Sequence, residues 1–315
     1  MAVKGSWLCC ALCAAMVCVS LVSAASADSF GTGGNAFDID FVSISGATNP
    51  TSGYGIVNND YRMGALEITN DQWAKFQAEL GVPVTGDPSS AYDADSYWTG
   101  TNVPTNRVSW YEAAQFVNWL NTSTNHHVAY KFTGTQGTSG YTLDTWSAAE
   151  ADNGTNLYRH KDAMYYMPTE DEWVKAAYWN GTSLQTYSNA SPGDLVSGVP
   201  DPTKWNYQPS AGSAPWDVGN GVEELNGTYD MMGNVWEWME SPASDASYGA
   251  DSDRGLRAGA YNFDVSTLAS SYRFVTYPRY DLNSFGFRVA SEVPEPCSLA
   301  LLSLGGLALL RRRRK

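Results

Sequence analysis

Cysteine is the first absence. The five cysteines of the 315-residue chain are Cys9, Cys10, Cys13, Cys18 and Cys297, and none falls between Asp28 and Pro294. A segment without thiols forms no disulfide, offers no thiolate nucleophile and builds no cysteine-ligated metal centre. Histidine is nearly as scarce, with His126, His127 and His160 the only three. Positive charge is short as well: 19 Lys and Arg face 33 Asp and Glu, a formal net charge of −14. Such a surface repels nucleic acid and anionic lipid, so no nucleic-acid partner is expected. Residues 28–294 also lack long like-charge blocks and internal repeats, which argues for a folded domain rather than a disordered or solenoid chain.

What is present begins at the two ends. Lys4 gives a positive start, Trp7 to Val22 is apolar, and Ala25-Ser26-Ala27 offers a small-x-small cleavage pattern. Residues 1–27 therefore read as an export signal handled by signal peptidase, with Asp28 as first mature residue. At the other end Val293-Pro294-Glu295-Pro296 precedes an apolar run, Cys297 to Leu310, and the basic end Arg311 to Lys315. Fourteen apolar residues are marginal for a full span. Basic residues after such a run are held on the cytoplasmic side. This tail resembles the Pro-Glu-Pro carboxy-terminal sorting signal, which implies processing by an exosortase-type enzyme. The organisation expected is a signal at 1–27, one domain at 28–292 and a sorting tail at 293–315. Loss of six bases and one acid on processing moves the formal net charge from −14 to −19. The product is expected at the cell surface, in the envelope or outside the cell.

Within the domain, Tyr229-Asp230-Met231-Met232-Gly233-Asn234-Val235-Trp236-Glu237-Trp238 stands apart. Large aromatics gain from burial, whereas carboxylates resist it unless paired. A run that interleaves them needs a fixed partner for its acids. Two partners suit: a hard cation such as calcium, or one of the arginines Arg257, Arg273 and Arg288. Around this stretch, alternation over Phe37 to Asn49 predicts a strand, and Tyr54 to Leu66 a strand pair turning at Asn58-Asn59-Asp60. Thr69 or Asn70 predicts the cap of a helix carrying Trp73, Phe76 and Leu80 inward and ended by Gly81 and Pro83. Ser109 with Glu112 predicts a capping box for a helix burying Ala113, Phe116, Val117 and Leu120. Thr169 caps a third helix, with Trp173 facing in. Residues 122–162 read as a polar excursion, either a functional loop or an unstructured one.

In series these pieces resemble the formylglycine-generating, sulfatase-modifying family, whose broader membership includes ergothioneine-type nonheme iron enzymes. The resemblance rests on Glu67-x-Thr69-Asn70-x-x-Trp73, Pro104-x-x-x-Val108-Ser109-Trp110, Pro168-Thr169-Glu170-x-Glu172-Trp173, the 229–238 stretch, Leu256-Arg257-Ala258-Gly259-Ala260, and Gly286-Phe287-Arg288. It implies an α+β fold, a single loop-rich domain related to C-type lectins. It also implies a structural calcium held by side chains of Asp230 and Glu237 and carbonyls of Gly233 and Val235. The family's copper-binding cysteines fall near Phe263 and Leu268, neither of which binds copper. Iron and copper are therefore not expected, nor is formylglycine generation.

Two functional readings follow. One is a non-catalytic surface domain that binds a glycan or another envelope component, through Tyr261, Asn262, Asp264, Tyr277 and Tyr280. The alternative is a nonheme metal-dependent oxidase or oxygenase with an unusual centre drawing on His126, His160 or Tyr261.

Overall fold

The computed structural model describes residues 26–294 except 93, 190, 192, 209–213 and 245–246. The apolar segments of the leader and tail lie outside the described residues, and no described helix is long and apolar enough to cross a membrane.

In chain order the strands and helices are β1 (Ser26–Phe30), β2 (Phe37–Ile44), β3 (Tyr61–Gly64), α1 (Asn70–Leu80), α2 (Trp110–Ser123), β4 (Phe132–Thr133), β5 (Thr142–Leu143), β6 (Ala151–Asp152) and β7 (Asn156–His160). They continue with β8 (Tyr165–Tyr166), α3 (Glu170–Tyr178), β9 (Trp236–Pro242), β10 (Arg254–Arg257), β11 (Phe274–Thr276), β12 (Phe285–Gly286) and β13 (Ala290–Glu292). One sheet has the order β1-β2-β3-β13-β8 and joins the first strand to the last; a second runs β11-β10-β9-β12 and carries the Trp-Glu-Trp stretch. This is an α+β architecture with much of the chain in loops.

All three helices start where the sequence says they should. Thr69, Ser109 and Thr169 each close a capping box with Gln72, Glu112 and Glu172, so two orphan amides are satisfied at each N-terminus. Gly81 ends α1 in the left-handed conformation (φ 69°). Trp73, Phe76 and Phe116 pack as one aromatic cluster, with ring centroids 5.1–5.9 Å apart.

One expectation is corrected, and one open choice is narrowed. Only the second arm of the Tyr54–Leu66 pair is a strand. The segment before it is held by side chains instead: Val57 N donates to Asn49 Oδ1 at 2.8 Å, and Lys175 Nζ donates to Asn49 Oδ1 and Val57 O. The 122–162 excursion is ordered, as two short hairpins (β4–β5 and β6–β7). Its anchor is α2: Asn118 exchanges two hydrogen bonds with the Tyr130 backbone, at 2.7 and 2.8 Å.

Candidate functional site

The Trp-Glu-Trp strand is locked to α3 by buried charge. Glu237 is fully buried and takes Arg288 Nη2 at 2.6 Å, Arg288 Nε at 2.7 Å and Trp173 Nε1 at 2.7 Å. Glu240, three residues on, holds Arg159 with Glu172 of α3 (2.8 and 3.0 Å). Glu170, on the same helical turn, pairs with Arg257 at 2.6 Å and Arg273 at 2.7 Å. Glu170, Glu172, Glu237 and Glu240 are thus the counter-charges of four arginines. Arg257 and Arg273, expected beside the central acids, serve α3 instead.

The turn before the strand needs unusual backbone. Asp230 and Asn234 sit at φ 61° and 60°, and Gly233 at φ 101° lies so close to the Asn206 carbonyl that a Cβ would collide with it. Asn234 then works as a rivet: its Oδ1 accepts from Asn206 Nδ2 and Trp216 N, and its Nδ2 donates to Glu67 Oε2 at 2.6 Å. Burial raises three carboxyls here. Desolvation, then the charge of Asp230, lifts Glu224 to about 8. Desolvation lifts Asp230 to about 6, and Glu67 well above its ordinary value with Asp230 and Glu237 adding to the effect.

The implied calcium set does not fit these residues. Asp230, Gly233 and Val235 lie in the turn and Glu237 follows on β9, but both oxygens of Glu237 accept from Arg288 and Trp173, and a divalent ion would displace a buried guanidinium. Asp230 Oδ2 already accepts from Gly219 N at 2.8 Å. Among the described residues no group of three or more His, Cys, Asp or Glu could hold a metal ion. The arginine partner, the other option open in the sequence, is the one Glu237 has.

The candidate ligand residues divide. Tyr261 is buried (5 % exposed) and packs edge-on to Trp98 at 5.7 Å, so it supports a wall rather than offering a surface. Asp264 caps a short helical turn through Ser266 N at 2.9 Å, and Ser266 holds its carboxyl below the usual range. Asn262 is exposed. Tyr277 and Tyr280 are 47 % and 42 % exposed, edge-to-face at 5.7 Å, with Arg279 over both rings. Phe263 packs on Trp236 at 5.3 Å and Leu268 is fully buried. His160 stacks on His127 at 3.5 Å and His126 lies edge-on to Tyr165, whereas Tyr261 belongs to the Trp98 wall. The histidines and Tyr261 therefore share no centre.

A cavity of about 450 Å³ opens between α1, the loop 94–101 and the start of α2. Its lining mixes the apolar Trp73, Ala74 and Val108 with Gln77, Asp95, Thr99, Thr101 and Arg107. Amides build the wall: Asn106 Oδ1 accepts from Tyr97 N and Trp98 N, and Asn70 Nδ2 donates to the carbonyls of Trp98 and Gly100. Arg107 is exposed, held at φ 53°, and its N donates to Leu282 O at 3.2 Å. It makes no ion pair with any described residue. That bond, and Trp110 N to Pro278 O at 2.9 Å, fasten the Tyr277–Leu282 loop to the backbone of Arg107 and Trp110. Sequence reasoning missed Gln77 and Arg107. Both lie at unconstrained positions in or beside the motifs, where neither periodicity nor spacing marks them. A second cleft of about 630 Å³ is more polar, though Ile56, Val57, Pro242 and Tyr248 also line it, and it ends on the Arg159 network. Ligand sites combine apolar surface with converging polar groups, and the larger apolar share of the lining favours the first.

This loop-rich α+β domain, pinned by arginine–carboxylate pairs, defines a recognisable class. Residues 29–293 match the sulfatase-modifying factor enzyme 1-like domain, and the chain belongs to that family. Residues 292–315 match the PEP-CTERM protein-sorting motif, which indicates export to the cell envelope or surface with processing by an exosortase-type system. The chaperone protein LppX of Paenibacillus barcinonensis is 26 % identical over 284 residues, 81 % of this chain and 89 % of that one. The hercynine oxygenase of Mycolicibacterium smegmatis is 26 % identical over 193 residues, 58 % of this chain but 37 % of the oxygenase. Among solved structures, Treponema denticola variable protein 1 has a TM-score of 0.58 at 20 % identity (85 % of this chain, 99 % of that one). CarF gives 0.58 at 21 % (81 % and 98 %). At these identities the structures show the fold alone.

Proposed function

We propose that the exported domain binds an envelope glycan or a related polyhydroxylated component without transforming it. The observation that carries the reading is the 450 Å³ cavity, where Trp73 and Val108 supply apolar surface and Gln77, Asp95, Thr99, Thr101 and Arg107 supply hydrogen-bonding groups. Sugars present both kinds of surface, and aromatic faces with converging amide, carboxylate and guanidinium groups match them. Tyr277 and Tyr280, on the loop bonded to Arg107 and Trp110, add exposed aromatic surface. Asn262 and Asp264 remain part of the outer surface in this reading, while Tyr261 positions Trp98.

The absence of catalysis is supported by the residues at the family's copper positions, Phe263 and Leu268, and by the lack of any cysteine from 28 to 294. The relative named a chaperone, which this chain covers over most of its length, sits more comfortably with a binding role than the oxygenase does. The test is binding of the purified protein to a panel of soluble bacterial envelope polysaccharides. Arg107→Ala and Gln77→Ala should each weaken binding at least several-fold while leaving the melting temperature unchanged. Binding to no polysaccharide, or binding indifferent to both substitutions, would defeat the reading.

A further inference from the structure

The first strand starts earlier than the leader boundary allows. Ser26 and Ala27 are the opening residues of β1 and stand opposite Phe41 and Asp40 in register. Behind them lies Arg62, only 3 % exposed. Its Nη1 donates to Ser26 Oγ and Asp28 Oδ1, both at 3.1 Å, and its Nη2 to Asp28 Oδ2 at 2.6 Å. Its Nε donates to Ser291 Oγ at 2.8 Å and the Glu292 carbonyl at 3.2 Å. Tyr165 adds its hydroxyl to Asp28 Oδ2 at 2.9 Å. One buried guanidinium therefore ties the first residues of the domain to its last strand, and Asp28, Tyr165, Glu292 and Pro294 line a single cavity of about 590 Å³.

A chain beginning at Asp28 would lose two of the five register pairs of β1 and the Ser26 acceptor of Arg62. A donor left unmatched on a buried charged group is costly. The small-x-small requirement is met equally well upstream, by Ser23-Ala24-Ala25. We propose that the leader is cut before Ser26, at the Ala25–Ser26 bond, so that the mature chain keeps Ser26, its pairing with Phe41 and its bond to Arg62. The step is peptide hydrolysis: water adds hydroxyl to the Ala25 carbonyl carbon and a proton to the Ser26 nitrogen. This rests on the export reading. It places both processed ends of the chain on one edge of the domain.

Mass spectrometry of the N-terminal peptide of the exported protein tests it. A terminus at Ser26 is expected; one at Ala24, Ala25, Ala27, Asp28 or beyond overturns the proposal while leaving export intact. A chain retaining Met1 would instead defeat export, and this inference with it. A second arm checks the reason. The exported protein carrying a deletion of Ser26 and Ala27 should melt at a lower temperature than wild type, with Ser26→Ala between the two. Superimposable melting curves would remove the basis for the assignment.

Discussion

Replacing Glu237 with Gln probes the pair at the centre of the fold. The carboxylate accepts three bonds of 2.6–2.7 Å, two from Arg288 and one from Trp173, and both charged partners are fully buried. Gln keeps the shape but offers one acceptor and turns an amide NH₂ toward donors. Arg288 is left charged, and its remaining bonds to the carbonyls of Gly64, Ala65 and Tyr229 do not neutralise it. Removing one member of a buried pair costs about 3–5 kcal/mol. For a domain of this size that lowers the melting temperature by roughly 10 °C. The assay is calorimetric melting of wild type and Glu237→Gln, each with and without a calcium chelator. Four curves are needed. The ion-pair account expects a large drop on substitution and no response to chelator in either protein. A wild-type melting point that falls with chelator and no longer does so in Glu237→Gln would refute it and restore calcium to the turn.

Further outcomes follow from the same geometry. Glu224 has its folded pKa raised from 4.5 to about 8, so its stabilising contribution is complete below 4.5 and is lost as pH rises through 8. Wild-type stability measured by urea unfolding should fall between pH 5 and 9, by at most about 4 kcal/mol from this group, and Glu224→Gln should flatten the profile. Asp230, raised to about 6, adds to the decline at its acidic end; a calcium site would reverse the slope, because deprotonation would favour the ion. A sulfatase-type cysteine peptide incubated with the protein, oxygen and copper should show no conversion to formylglycine by mass spectrometry. The mature protein should lack Arg311 to Lys315, which intact-mass measurement checks directly.

Much of the fold was legible because its signals are local. The capping boxes at Thr69, Ser109 and Thr169 need only a hydroxyl and an acid or amide three residues on. The missing strand at 54–57 was not legible, since Val57 bonds instead to the Asn49 side chain and to Lys175, which is distant in sequence. The central stretch was half legible. That its acids need a partner follows from their company of aromatics; that Glu237 chooses Arg288 depends on a segment between β12 and β13 arriving 51 residues later. Tyr261 looked accessible because an aromatic beside Asn262 in a loop carries no mark of burial, and only the wall formed by Trp98 hides it. Arg107 gave no signal at all. Its left-handed backbone and its place in the cavity come from the contact with Leu282.

The central claim is that ligand enters the cavity between α1 and the start of α2. Hydrogen–deuterium exchange of the whole exported protein, with and without an oligosaccharide from the best-binding polysaccharide, locates the contact directly. The account predicts protection concentrated in residues 70–77 and 94–108, with a smaller effect at 277–280. Protection confined to residues 152–172, around the polar cleft over Arg159, or spread evenly over the domain would contradict it.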